Sequence, residues 1–176
     1  WPIYHSGIGA TKYLYLNLTN AASTGSEFWN NTEPTSSVIT TKGEPNSMGS
    51  AGNTVMYVFT AVEGYSAFGS YTGSGNSDGS FIFTGFAVRW LLIKCTSASG
   101  QEWVIIDSAR SPSNVADDAL YANDNAAEAT NSTRDVDLLS SGFKLRNGSS
   151  GATDFSGRTY IYAAFAEQPF KLARAR

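Results

Sequence analysis

Apolar and polar positions in this chain fall into runs of strand length, separated by clusters of turn-forming residues. Between 54 and 62, Val55, Tyr57, Phe59 and Ala61 share one side of an extended chain and Met56, Val58, Thr60 and Val62 the other. Both sides are apolar, which predicts a central strand covered on both faces. Tyr160 to Gln168 repeats the pattern. Phe81 to Phe86 and Trp90 to Thr96 are rich in aromatic and branched residues and are interrupted at Gly85, which predicts two strands or one bulged strand. Trp103 to Asp107 is a further strand after a turn at Gly100-Gln101, and Tyr13 to Leu18 another.

Turn chemistry punctuates these runs. The stretches 73–79, 42–46 and 146–151 supply glycines that tolerate positive φ and Asn, Asp and Ser that form side-chain turns. Val115 to Ala129 is ambiguous, because its alanines favour helix and Asn114 is a suitable cap. A repeat in the sequence decides most of it in favour of a strand near 119–123, leaving at most a turn of helix around 125–129.

The repeat is a duplication. Trp1-Pro-Ile-Tyr-His is echoed by Trp103-Val-Ile-Ile-Asp, Leu14-Tyr-Leu-Asn by Leu120-Tyr-Ala-Asn, and Ala21-Ala22 by Ala126-Ala127. The run ending each copy matches Phe59 with Phe165. The offset is 102 at the tryptophans and 106 at Asn17/Asn123, so the second copy carries a small insertion. So long a period excludes a solenoid unit and fits a duplicated domain or half-domain. We divide the chain into a truncated first repeat (1–66), a complete second repeat (67–170) and a tail (171–176), or one composite sandwich. The second copy carries a strand at 85–94 ahead of Trp103 that has no counterpart ahead of Trp1. The chain therefore reads as the C-terminal piece of something longer, with an exposed sheet edge for an upstream segment or a neighbouring chain to cover.

Composition narrows the function. Over 176 residues only 15% are charged and the net charge is −3, so the surface is polar without a basic stripe for nucleic acid. Lys171, Arg174 and Arg176 form the one basic cluster and read as a solvated tail. No run approaches the ~18 apolar residues of a membrane span. The single cysteine, Cys95, ends an apolar run and reads as a buried structural thiol, excluding a disulfide within the chain.

Catalytic constellations are sparse. The only histidine, His5, matches Asp107 in the second copy, which suits a shared structural strand end better than a base. Asp117-Asp118 and Asp135/Asp137 are loop carboxylates; with Asp124 and Asn125 they offer oxygen ligands to calcium, without an EF-hand or nonapeptide pattern. The expectation is therefore no catalytic residue, no metal site and no cofactor. Sugar contacts are the remaining candidates: an aromatic face stacks on a sugar while amides and carboxylates take its hydroxyls. Trp29, Tyr71 and Asp78 of the adjacent glycine-rich loop are the candidate glycan contacts, with a core-plug role for Trp29 as the plainer reading.

Several segments together resemble a known family. They are Trp1 to Ser6, Leu14 to Ala22, Trp29 with Pro34-Thr35-Ser36, Val62 to Gly73, Phe83-Thr-Gly-Phe86 with Trp90 to Lys94, Trp103 to Arg110, Leu138 to Leu145 and Tyr160 to Phe170. In this order they resemble duplicated, concanavalin-like β-sandwich domains of bacteriophage tail and other virion proteins, many marine or cyanobacterial. Val88, Cys95 and Gly73-Ser-Gly depart from the usual residues there. The resemblance implies an all-β, jelly-roll-like sandwich in a non-enzymatic virion structural protein, the C-terminal domain of a tail fibre, spike or appendage that contributes to host-surface glycan attachment. It further implies a location on the virion after assembly in the bacterial cytoplasm, other virion proteins as partners, and a homo-oligomer, trimeric by analogy. Two alternatives stand: a capsid decoration or other architectural protein without receptor binding, and a polysaccharide-degrading enzyme with a convergent acid pair.

Overall fold

A computed structural model describes residues 1–42, 54–130 and 132–168. Its strands are β1 (Pro2–Ile3), β2 (Lys12–Tyr15), β3 (Ser23–Thr24), β4 (Ser66–Thr72), β5 (Phe81–Phe83), β6 (Val88–Cys95), β7 (Trp103–Asp107), β8 (Asp118–Tyr121), β9 (Ala129–Thr130), β10 (Val136–Leu139), β11 (Gly142–Leu145) and β12 (Thr159–Ala166), with a short 3-10 turn at Ser132–Arg134. They form a six-stranded sheet ordered β4-β12-β6-β7-β8-β9 and two three-stranded sheets, β10-β11-β5 and β1-β2-β3, all antiparallel. The protein is an all-β sandwich.

Side-chain alternation in the central strands builds the layers. Along β6, Leu91, Ile93 and Cys95 point inward and are fully buried, meeting Val104 and Ile106 of β7, Tyr160, Tyr162 and Ala164 of β12, and Phe143, Leu145 and Val136 of the small sheet. The opposite face of the six-stranded sheet, with Leu92, Ile161 and Trp103, packs on Leu14, Ile3 and Leu16 of the first copy. The six-stranded sheet is thus the middle layer, which is why β6 and β12 are apolar on both sides. On the far side of β2, Tyr13 and Tyr15 are covered by Ala10, Phe28 and Trp29.

The duplication is realised bond by bond. Pro2 faces Tyr15 and Ile3 faces Leu14, as Val104 faces Tyr121 and Ile105 faces Leu120. Lys12 and Tyr13 face Thr24 and Ser23, as Asp118 and Ala119 face Thr130 and Ala129. The Asn17 side-chain oxygen accepts from the Trp1 backbone nitrogen at 2.7 Å, and that of Asn123 from the Trp103 N–H at 2.7 Å. The Leu16 N–H donates to Trp1 O at 2.9 Å and the Ala122 N–H to Trp103 O at 3.1 Å. β1-β2-β3 is therefore β7-β8-β9 over again, and the repeated asparagine is the plug that closes the start of each unit.

One expectation about the strands is corrected. Residues 54–62 do not form a central strand: apart from an isolated bridge between Val62 and Ser66 they pair with nothing described, and Val55, Tyr57, Val58 and Phe59 are exposed. Their counterpart β12 is flanked by β4 and β6, whereas no described strand flanks 54–62, so the run has the right pattern without the neighbours. Residues 125–129 hold no helical turn, within the expectation of at most one; β9 occupies their end, and among the described residues the one helical turn follows at Ser132–Arg134. The strand near 119–123 is present as Asp118–Tyr121. The turn expected at 42–46 and the tail at 171–176 lie outside the described residues apart from Lys42. Cys95 is buried and unpaired.

Candidate functional surface

The three sites singled out from sequence do not converge. Trp29 lies in the turn after β3, where Asn30 and Asn31 adopt positive φ, and its ring is buried at 5% exposure, edge-on to Tyr4 at 5.9 Å and tilted against Phe28 at 6.2 Å. It fills the core of the first copy and presents no ring face to a sugar. Tyr71 stacks on Tyr160 at 5.0 Å and 13°, and its hydroxyl donates to Thr153 O at 2.6 Å. Both the ring and the polar tip are committed, and burial pushes its pKa well up. Asp78 is exposed but engaged: Lys144 Nζ and Arg146 Nη1 reach its Oδ1 at 2.6 and 2.7 Å, while Arg146 Nε reaches Asp137 at 2.6 Å. Lys144 holds the Asp78 carboxyl below its usual range.

The glycine-rich loop following β4 is tethered to the loop before β12. Asp154, fully buried, accepts from the Ser74 N–H at 2.7 Å and the Ser74 hydroxyl at 2.9 Å, and the Gly75 N–H donates to Asp154 O at 3.0 Å. A Cβ on Gly73 would sit 2.3 Å from Phe155 O, so the close approach of the two loops requires glycine there.

His5 is a turn former. Its Nδ1 accepts from the Gly7 N–H at 3.0 Å, as the Asp107 carboxylate accepts from the Ala109 N–H at 3.0 Å in the second copy. Its Nε2 stands 3.1 Å from Tyr162 O, an acceptor, so this nitrogen carries the proton and the ring is neutral. Burial lowers its pKa, against a smaller opposing effect of the Tyr162 bond. Since the unfolded chain takes up the proton first, stability falls as pH drops through about 6.5 toward the folded pKa. Chemical denaturation at pH 7 and pH 5.5 should show this loss in the wild type and not in His5→Asn, whose amide keeps the Gly7 bond.

The carboxylates are structural too. Asp118 accepts from the Thr130 hydroxyl at 2.6 Å and the Ser111 hydroxyl at 3.1 Å, pinning β9 and the loop before β8. Burial, then the Asp117 charge, raises the pKa of Asp135. Among the described residues no group of three or more His, Cys, Asp or Glu is placed to hold a metal, and no helix is long and apolar enough to cross a membrane. A groove of about 490 Å³ runs between Arg89, Ser108, Asn114, Leu138 and Glu167. Its charged and amide side chains are engaged: Arg89 reaches Ser108 at 3.1 Å and Glu167 at 3.7 Å, and Asn114 clamps both backbone groups of Leu138.

What sequence reasoning missed is an aromatic patch. Phe165 is its hub, with Phe59 at 5.8 Å, Phe68 at 5.9 Å, Trp90 at 5.7 Å and Tyr65 at 6.1 Å. Phe59 and Tyr57 stand 65% and 79% exposed beside it, continuing into Val58 and Val55. The sequence signal was present in the 54–62 run, but its apolar pattern was assigned to the interior. Clusters of exposed apolar side chains on an otherwise polar surface mark contacts with other polypeptides.

A family model described as a domain of unknown function, DUF7483, matches residues 1–169. No curated protein and no solved structure matches the chain.

Proposed function

The chain belongs to the DUF7483 family, and we propose that it is a non-enzymatic structural domain of a bacteriophage particle, a building block of a tail fibre, spike or similar appendage. One observation carries the reading: among the described residues, the run from Val55 to Phe59 exposes adjacent aromatic and branched side chains beside Phe165 and Trp90, a protein-docking surface rather than a sugar platform. The resemblance of the segments from Trp1 to Phe170 to virion sandwich domains supplies the setting. Trp29 and Tyr71 have their ring faces covered within the fold, so attachment to host glycans would belong to the assembled appendage and not to a pocket in this domain. In this reading the domain acts as a homo-oligomer, a trimer by analogy with virion fibres.

The test is immunogold labelling of intact phage with antibody raised against the domain, together with particles carrying Tyr57→Ser and Phe59→Ser. Label along the tail, and a drop of about tenfold in domain incorporated by the double variant, are the expected results. Label on the head would replace the appendage reading with capsid decoration. Absence of the domain from purified particles would overturn the virion reading.

A further inference from the structure

We propose that the sheet of the first copy is completed by an extended strand of β6 character, running into Trp1 through a hairpin and lying between β1 and the 54–60 segment. The inference stands on the internal duplication alone and holds whether or not the domain is carried on a particle.

In the second copy the order is β12-β6-β7, so one strand separates the counterparts of 54–60 and β1. β6 pairs with β7 from Trp90 opposite Asp107 to Lys94 opposite Trp103, and with β12 from Trp90 opposite Phe165 to Cys95 opposite Tyr160. Carried over by the repeat, the same strand would pair on one side with Trp1 to His5 and on the other with the residues ending near Phe59.

Both flanks are already in place. Phe59 lies against its own repeat counterpart, Phe165, at 5.8 Å, the contact expected when two related sheets stack face to face. Phe68 of β4 is met at 6.5 Å by Phe59 and at 6.4 Å by His5, two residues past β1. The half-buried Phe68 therefore forms part of the floor between the two flanks. The exposed residues behave as an interrupted core should: Trp103 is 2% exposed with Lys94 of β6 over its ring at 5.9 Å, whereas Trp1, without such a neighbour, is 76% exposed.

The edge itself accepts a strand with one rung fewer. The Ser108 N–H donates to Arg89 O at 3.0 Å, so the even-numbered residues of β7 face β6, and their counterparts are Pro2, Tyr4 and Ser6. Pro2 offers its carbonyl but no N–H; Tyr4 and Ser6 offer both. A proline at this point also discourages pairing with unrelated strands. The occupant must be apolar on both faces, as β6 is at Leu91, Leu92 and Ile93, because the strand has the Phe68 floor on one side and the Tyr4–Trp29 cluster of the first copy on the other.

The chain's own β6 is the probe. A copy of residues 88–102 is grafted ahead of Trp1, so that its last residue enters Trp1 as Glu102 enters Trp103, and hydrogen exchange is followed at 54–60 with light scattering to confirm a monomer. The expected result is slowing of exchange at 54–60 by roughly 100-fold in the graft, and none in a control graft with Ser at the three apolar positions copied from Leu91, Leu92 and Ile93. Protection of β6 and β12 reports that each variant folds. Adding the free 88–95 peptide to the unmodified chain provides a second arm, in which protection of the same amides is expected at high peptide concentration. Unprotected 54–60 in a graft and a peptide mixture that both keep the main sheet intact would overturn the proposal. Concentration-dependent protection of 54–60 in the unmodified chain would overturn it as well, by assigning the place to a second copy.

Discussion

Trp103→Ala lowers the unfolding free energy by about 3–5 kcal/mol in urea denaturation, the largest loss expected from any single truncation of the chain. The indole sits where the two copies meet, 2% exposed in a cluster with Leu14 and Ile161. Its Nε1 donates to Tyr15 O at 2.9 Å, so truncation opens a cavity and also strips a carbonyl of β2 of the shorter of its two hydrogen bonds, the Leu18 N–H at 3.3 Å remaining. Trp103→Phe separates the two contributions: it restores most of the apolar volume but not the bond, and a loss of about 1–2 kcal/mol is expected. A loss below about 1 kcal/mol for the alanine variant would mean that the copies do not share this interior.

The second large effect comes from Lys94. Its side chain is fully buried, donating to Cys95 O at 2.8 Å and Thr19 O at 3.5 Å, and among the described residues no carboxylate pairs with it. Burial lowers its pKa to about 8, only partly offset by attraction to Cys95 and Glu102. Between that value and the unfolded 10.5 the unfolded chain binds more protons, so stability rises with pH across this window. At up to about 1.4 kcal/mol per pH unit, the gain between pH 8 and 10 is on the order of 2 kcal/mol. Above about pH 10 the tyrosines reverse the trend, because burial raises the pKa values of Tyr71, Tyr160 and Tyr162, and burial with Glu33 pushes Tyr4 up to about 12. The unfolded chain then loses protons first. Denaturation profiles should therefore peak near pH 10 for the wild type, whereas Lys94→Met keeps the alkaline fall and loses the preceding rise.

The contrast between Lys94 and its surroundings shows how far the sequence could be read. β6, β7 and β12 were legible because each is apolar on both faces and bounded by turns, and Gly100, with φ 75°, sits at the hairpin that the sequence marked. β4 was not: Ser66-Ala-Phe-Gly-Ser-Tyr-Thr is half small or polar, and it is a strand because β12 offers it a seven-residue edge. The run at 54–62 failed in the opposite sense. Its pattern states what its side chains could bury, but a strand also needs partners for its backbone, and pattern carries no information about those. The equivalence of His5 with Asp107 was visible in the alignment of the copies, and its meaning became physical only when each was found accepting the backbone N–H two residues on, from Gly7 and from Ala109. For Trp29 the sequence already made a core plug the plainer reading and a sugar platform the alternative, and the Tyr4 and Phe28 rings around it favour the plug. The aromatic patch at Phe165 depends on residues from four separated segments, of which the 54–62 run alone carried a signal, and that signal was assigned to the interior.

One spectrum addresses the central claim, that two related three-stranded units pack around a shared interior. In a nuclear Overhauser experiment on the folded chain, the indole N–H of Trp103 should show cross-peaks to Leu14 and Tyr15, 88 residues from its hydrogen-bond partner Tyr15, and should exchange slowly with solvent. Cross-peaks confined to residues of the second copy, with fast exchange of that proton, would contradict the account.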